Sequence, residues 1–285
     1  MAAVVPPLYG QAAMEDRGLF GPGSVTWRVH RSPVVAMVGG LRSLIIQALH
    51  PLAMAGVAQH SDYREKPLRR LRRTAEYVAT TTFGTTGEAL RAAAIVKQVH
   101  RKVRGVDPVT GREYSAEDPE TALWVHCVEV HSFLASHRVY GRDRLAAAEQ
   151  DRYFAENVAV AELLDLPRDR VPDSVAAMRE YFASVRPQLC VSDAARDAID
   201  FVISPPLMRE TAPYLLPMRI LGAAAAGLVP RDLRRLAGIE RSGLGAPPTY
   251  AAVRAADLAV RLPGGRALPA IVLGERVTRV AQRAA

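Results

Sequence analysis

The chain has 285 residues, 49% of them hydrophobic and 23% charged, with a formal net charge of +8. A chain of that length buries a sizeable core unaided, and its two cysteines, Cys127 and Cys190, exclude a disulfide framework or a Cys-rich metal site. The positive charge is almost all arginine, which reads either as codon-driven composition or as a basic patch for an anion.

The opening MAAVVPPLYG lacks the charged and continuous apolar regions of a secretory signal, and the longest nearly uncharged run, 220–229, is too short to cross a bilayer. The expectation is a cytoplasmic protein with no integral membrane segment. Residues 1–32, rich in Gly and Pro and without a period, read as an extended arm packed on the body. Residues 33–240 read as one helical domain, and 241–285 as a helical extension packed on the same domain. Pro33 opens a helix over 33–50, with Leu41, Leu44, Ile45, Ala48 and Leu49 on one stripe. The pair Gly39-Gly40 inside it either admits a close backbone approach or breaks the helix. A short apolar segment follows His50-Pro51. Pro67 suits the first turn of a helix ending near Phe83, and another helix runs over about 86–103. The tract GVDPVTGREYSAEDPE is a loop, and helices resume over 119–137 and 141–164. Further helical patterns start at Ser174 and Ser192 and continue with breaks to 262. No alternating run flanked by hairpin turns is present, so the predicted class is all-α, a single multi-helix domain.

Three places carry residue types suited to chemistry. His100 shares a helix face with Val96, Val99 and Val103. Burial of an imidazole is costly unless its nitrogens are served, so His100 is either a hydrogen-bonded core histidine or a neutral ligand to a metal or haem iron. Arg70 and Thr74, four residues apart, share a face with Tyr77, Val78 and Thr81. That face binds a carboxylate or a ligand, or it belongs to a solvated basic stripe. His126 lies one turn before Val130 and three residues before Glu129, whereas His131 points about 140° away. The chain lacks the paired Glu-x-x-His motifs of a di-iron bundle. It also lacks a nucleophile elbow, a P-loop, a dinucleotide fingerprint and H-E-x-x-H. A helix-turn-helix around 231–238 lacks a recognition helix, so no nucleic-acid partner is expected.

Taken in order, His50-Pro51, Arg70 to Thr74, Phe83-Gly84, Val96 to Gly105, Tyr114 to Pro119, Leu123 to His126, Asp151 to Asn157 and Pro172 to Ser174 resemble the DUF2236 family. This is the catalytic domain of oxygenase MpaB and of rubber oxygenase (latex clearing protein), and the resemblance covers about residues 35–235. It implies a globin-like helical core and, from the rubber-cleaving members, haem b. It implies His100 as proximal iron ligand, with Arg70 and Thr74 lining the distal side. The lysine that caps iron in those members is Arg73 here, and a guanidinium cannot ligate iron. Arg73 is left with Arg70, Thr74 and His100 as a cofactor-contacting residue. The rubber enzymes' glutamate, about sixteen residues before the arginine, has no counterpart in HPLAMAGVAQHSD, so rubber cleavage is not expected. The WVH pattern resembles the intracellular bacterial branch, in which His126 is a distal group, a second axial ligand or a fold anchor. The implied function is a haem b-dependent oxygenase acting with O2 on a small apolar, terpenoid-like or alkene substrate. The alternative is a non-catalytic haem- or lipid-binding sensor. Homo-oligomerisation is left open.

Overall fold

The computed structural model describes residues 16–209, 211–239 and 246–262. Its centre is a pair of helices, α2 (Pro33–Gln47) and α6 (Pro119–Tyr140), which pack on each other more extensively than any other two elements. Both start at a proline, whose missing N–H and fixed φ suit the first turn. The preceding residues cap them: Ser32 Oγ accepts from Val35 N at 3.2 Å, and Asp118 Oδ2 accepts from Thr121 N at 3.0 Å. The close approach is made possible by Gly39. A Cβ there would lie 2.8 Å from Phe133 Cδ1 and 3.0 Å from Phe133 Cα, whereas one on Gly40 would meet nothing. The helix is not broken by the pair.

α6 is apolar on more than one face because it separates two cores. One side carries Trp124 and Val128 into a cluster with α2, α9 (Asp193–Ile203), α10 (Leu215–Gly227), α11 (Arg231–Ala237) and α12 (Ala246–Ala259). The other carries Leu123, Cys127, Phe133 and Leu134 against α1 (Val25–His30), α7 (Ala147–Leu163) and Met178 of α8 (Val175–Val185). Cys127 is fully buried.

Three expectations are corrected. The last part of the supposed extended arm is the buried helix α1, with Val25, Trp27 and Val29 in the cores. Its first turn is held by Glu156, which accepts from Thr26 N at 2.8 Å and Val25 N at 3.2 Å. Asn157 Nδ2 donates to Thr26 Oγ1 at 3.0 Å. The segment after His50 is helix α3 (Pro51–His60), with His50 Nδ1 accepting from Ala53 N. The loop after His100 contains a short antiparallel hairpin, β1 (Arg104–Val106) with β2 (Glu113–Ser115), pairing Gly105 with Tyr114. Buried Tyr114 ties it to α3 by donating to Gln59 Oε1 at 2.8 Å. The described chain is otherwise helical and forms one mostly α domain.

α4 (Pro67–Phe83) and α5 (Thr86–His100) form a helical hairpin on the flank, joined by Gly84-Thr85. α5 starts with a capping box of Thr85 and Glu88. It packs mainly on α4, while α4 also meets α1 and, through Leu71, Ala75 and Ala79, Met37 of α2. No single helix among the described residues is long and apolar enough to cross a membrane.

Candidate functional site

The α4–α5 hairpin sets the heights of the predicted residues. Fourteen residues separate Arg70 from Gly84, and fifteen separate Thr85 from His100. At a rise of about 1.5 Å per residue, both lie roughly 21–22 Å from the turn, on adjacent helices. Thr74 stands one turn closer to it.

Arg70 is half-buried, and its Nη1 donates to Ser61 Oγ in the α3–α4 connection. Its guanidinium carbon lies 5.8 Å from the centre of the Tyr63 ring. Burial lowers its pKa, and no carboxylate among the described residues pairs with it. Arg73 and Thr74 are exposed.

His100 is half-buried at the end of α5. Burial holds its pKa down, Glu117 pulls it back up, and no described residue hydrogen-bonds the ring. Of the apolar stripe read from spacing, Val96 and Val103 are half-buried but Val99 is 54% exposed. α5 instead buries Ala89 and Ala93. Small residues bring it close to α4 and leave its larger apolar side chains outside.

His126 lies deep on α6. Burial alone pushes its pKa down to about 4, and its ring has no hydrogen-bond partner among the described residues. One turn on, Glu129 is half-buried, and desolvation lifts its carboxyl to about 7. Tyr77, from the Arg70 face of α4, interacts with Glu129, and its buried hydroxyl has no partner. Tyr153 also interacts with Glu129. Val78 and Ala122 pack on the same core cluster beside them. Tyr77 of α4 thus approaches Glu129 of α6, one turn from His126, with its own hydroxyl buried and without a partner among the described residues. Such orphaned groups are rare in a settled interior and suit a ligand site. The spacing of Glu129 from His126 was visible in the sequence, but the closeness of Tyr77 was not.

No hydrogen bond or ion pair joins Arg70, Thr74, His100 and His126 to one another among the described residues. Their helices share one flank instead. No group of three or more His, Cys, Asp or Glu there could hold a bare metal ion.

Among the described residues the rings of His100 and His126 have no hydrogen-bond partner, and they belong to an all-α domain. Residues 27–261 match the family model described as "ER-bound oxygenase mpaB/B'/Rubber oxygenase, catalytic domain", and the chain belongs to that family. It is also 30% identical, over 119 residues, to uncharacterised proteins of Mycobacterium bovis and Mycobacterium tuberculosis. Those matches cover 41% of this chain and 45% of each relative, so the chain spans less than half of the curated relatives it matches. No solved structure matches significantly.

Proposed function

We propose that the protein is a haem b-dependent oxygenase-like enzyme that acts with O2 on a small apolar, alkene-like substrate. The observation that supports this reading is that Arg70 and His100, both half-buried, lie on the packed helices α4 and α5. Among the described residues the His100 ring has no hydrogen-bond partner and the Arg70 guanidinium no carboxylate partner. The residues fit the group: iron ligation requires a neutral imidazole, and burial keeps both His100 and His126 neutral at pH 7.

His100 would hold the iron, and haem would supply O2 binding and electron transfer. Arg70 stays protonated and would donate hydrogen bonds to an anionic or oxygen-bearing group of the cofactor or its ligand. Thr74 adds a hydroxyl one turn away. Arg73, exposed and unable to ligate, serves a propionate. His126 is a neutral acceptor on the inner side. Glu129 holds a proton at its carboxyl near neutrality, a role for which α3 supplies no glutamate. Val78 and Ala122 offer an apolar wall to the substrate.

The test is an absorption spectrum of the purified chain titrated with hemin. The reading expects a Soret band that shifts on reduction under CO and is lost in His100→Ala. No haem uptake overturns it.

A second reading, a haem or lipid-like ligand holder without turnover, is favoured by one observation. The position sixteen residues before Arg70 is buried Met54, not a carboxylate. Oxygen uptake with a reductant and an alkene separates the two.

A further inference from the structure

On the far side of α6 a second site stands apart from these residues. Arg42 of α2 is only 1% exposed. Its Nε donates to the Leu228 carbonyl at 3.0 Å, and its Nη1 to Ser132 Oγ at 2.6 Å. Nη1 also lies 3.3 Å from His131 Nδ1. All these partners are neutral: burial, with Arg42 and Arg138 nearby, pushes the His131 pKa down to about 3. Burial lowers the pKa of Arg42 only to about 10, so the guanidinium stays charged at pH 7. No carboxylate among the described residues neutralises it, and none of them accepts from its Nη2. A buried cation left in that state is costly.

Arg42 lines a cavity of about 310 Å³, at the lower end of the size range of small-molecule pockets. Trp124, Met178, Phe182 and Leu189 make its walls apolar. Arg138 and Arg179, both exposed, add positive charge at the lining, and its single acidic side chain, Asp232, is taken by Arg186.

We propose that this cavity binds a small amphipathic anion, a carboxylate with an apolar tail, whose head pairs with the Nη2 edge of Arg42 and whose tail lies against Trp124 and Phe182. A planar carboxylate matches the donor fork that the protein leaves unused, the apolar walls match the tail, and the rim arginines draw the anion in. The cavity is lined by none of His100, His126, Arg70 and Thr74, and His131 and His126 leave α6 in directions about 140° apart.

Calorimetric titration of the full chain with decanoate, decanamide and acetate tests this. Decanoate is expected to bind and raise the melting temperature, with decanamide at least tenfold weaker and acetate without measurable binding. His131→Glu gives Arg42 an internal counter-ion and is expected to weaken decanoate at least tenfold while raising the melting temperature of the free protein. Ala135→Phe fills the cavity without changing its charge and is expected to abolish binding. The proposal is overturned if decanoate does not bind or if decanamide binds equally well. Unchanged decanoate affinity in both variants also overturns it. Affinity lost in His100→Ala instead would assign the ligand to the other flank of α6.

Discussion

Glu129 and His126 occupy neighbouring turns, yet burial acts on them with opposite sign. The carboxyl is lifted to about 7 and the imidazole lowered to about 4, because each keeps its neutral form. A carboxyl raised above its unfolded value favours the folded state at low pH and loses that contribution as pH rises through the folded pKa. A depressed histidine does the reverse: its contribution is complete above its unfolded value and fades as pH falls towards the folded one. His30 and His131, both held to about 3, add to the acid-side loss. Stability should therefore decline on acidification below about pH 6.5, where three histidines outweigh one glutamate. From about pH 6.5 to 8 Glu129 works against the histidines, its own contribution falling by about 1 kcal/mol, so that wild-type stability changes little. Thermal melts of Glu129→Gln across that upper range should gain stability with pH more steeply than the wild type, by about 1 kcal/mol over the range. Parallel curves for the two would show that Glu129 does not hold its proton. The residue types were legible at this scale, but the opposite shifts were not, since they come from packing by helices distant in sequence.

At the scale of elements, starts were well marked and contacts were not. Pro33, Pro67, Pro119, Ser174 and Ser192 each stand at a helix start, because capping and first-turn chemistry are local. The hairpin β1–β2 escaped the pattern reading because strands of three residues cannot display an alternation. α1 escaped because six residues give little period, and its first turn is held by Glu156 from a distant helix. The glycine pair of α2 allows a direct check. Gly39→Ala should destabilise by about 1–3 kcal/mol through overpacking on Phe133. Gly40→Ala, facing open space, should stabilise by roughly 0.5–1 kcal/mol through propensity. Chemical denaturation of the two variants reads both, and equal effects would mean that α2 and α6 do not approach at Gly39.

Across the whole molecule, stability is unevenly spread. α2 and α6 are walled by two cores, whereas α5 rests mainly on α4 and exposes Leu90, Ile95 and Val99. Hydrogen exchange should be slowest in α2 and α6 and at least tenfold faster in α5, because few buried contacts oppose its local opening. If His100 binds haem iron, hemin should slow exchange in α5 selectively, since ligand binding stabilises the state that holds it. Uniform protection before and after hemin would contradict both the peripheral place of α5 and the role of His100.

By itself the sequence determined the all-α class, most helix starts and the ordered motifs of the family, because capping, periodicity and turn chemistry act within a few residues. Several of those motif residues serve the scaffold: Asp118 caps α6, Tyr114 ties down the hairpin, and Asn157 with Glu156 secures α1. Only the tertiary structure decided which polar groups are left without partners. Tyr77 meets Glu129 across two helices, and Arg42 faces His131 rather than a carboxylate. Both pairings join positions many residues apart, where desolvation is set by what packs around a group and not by its neighbours in the chain.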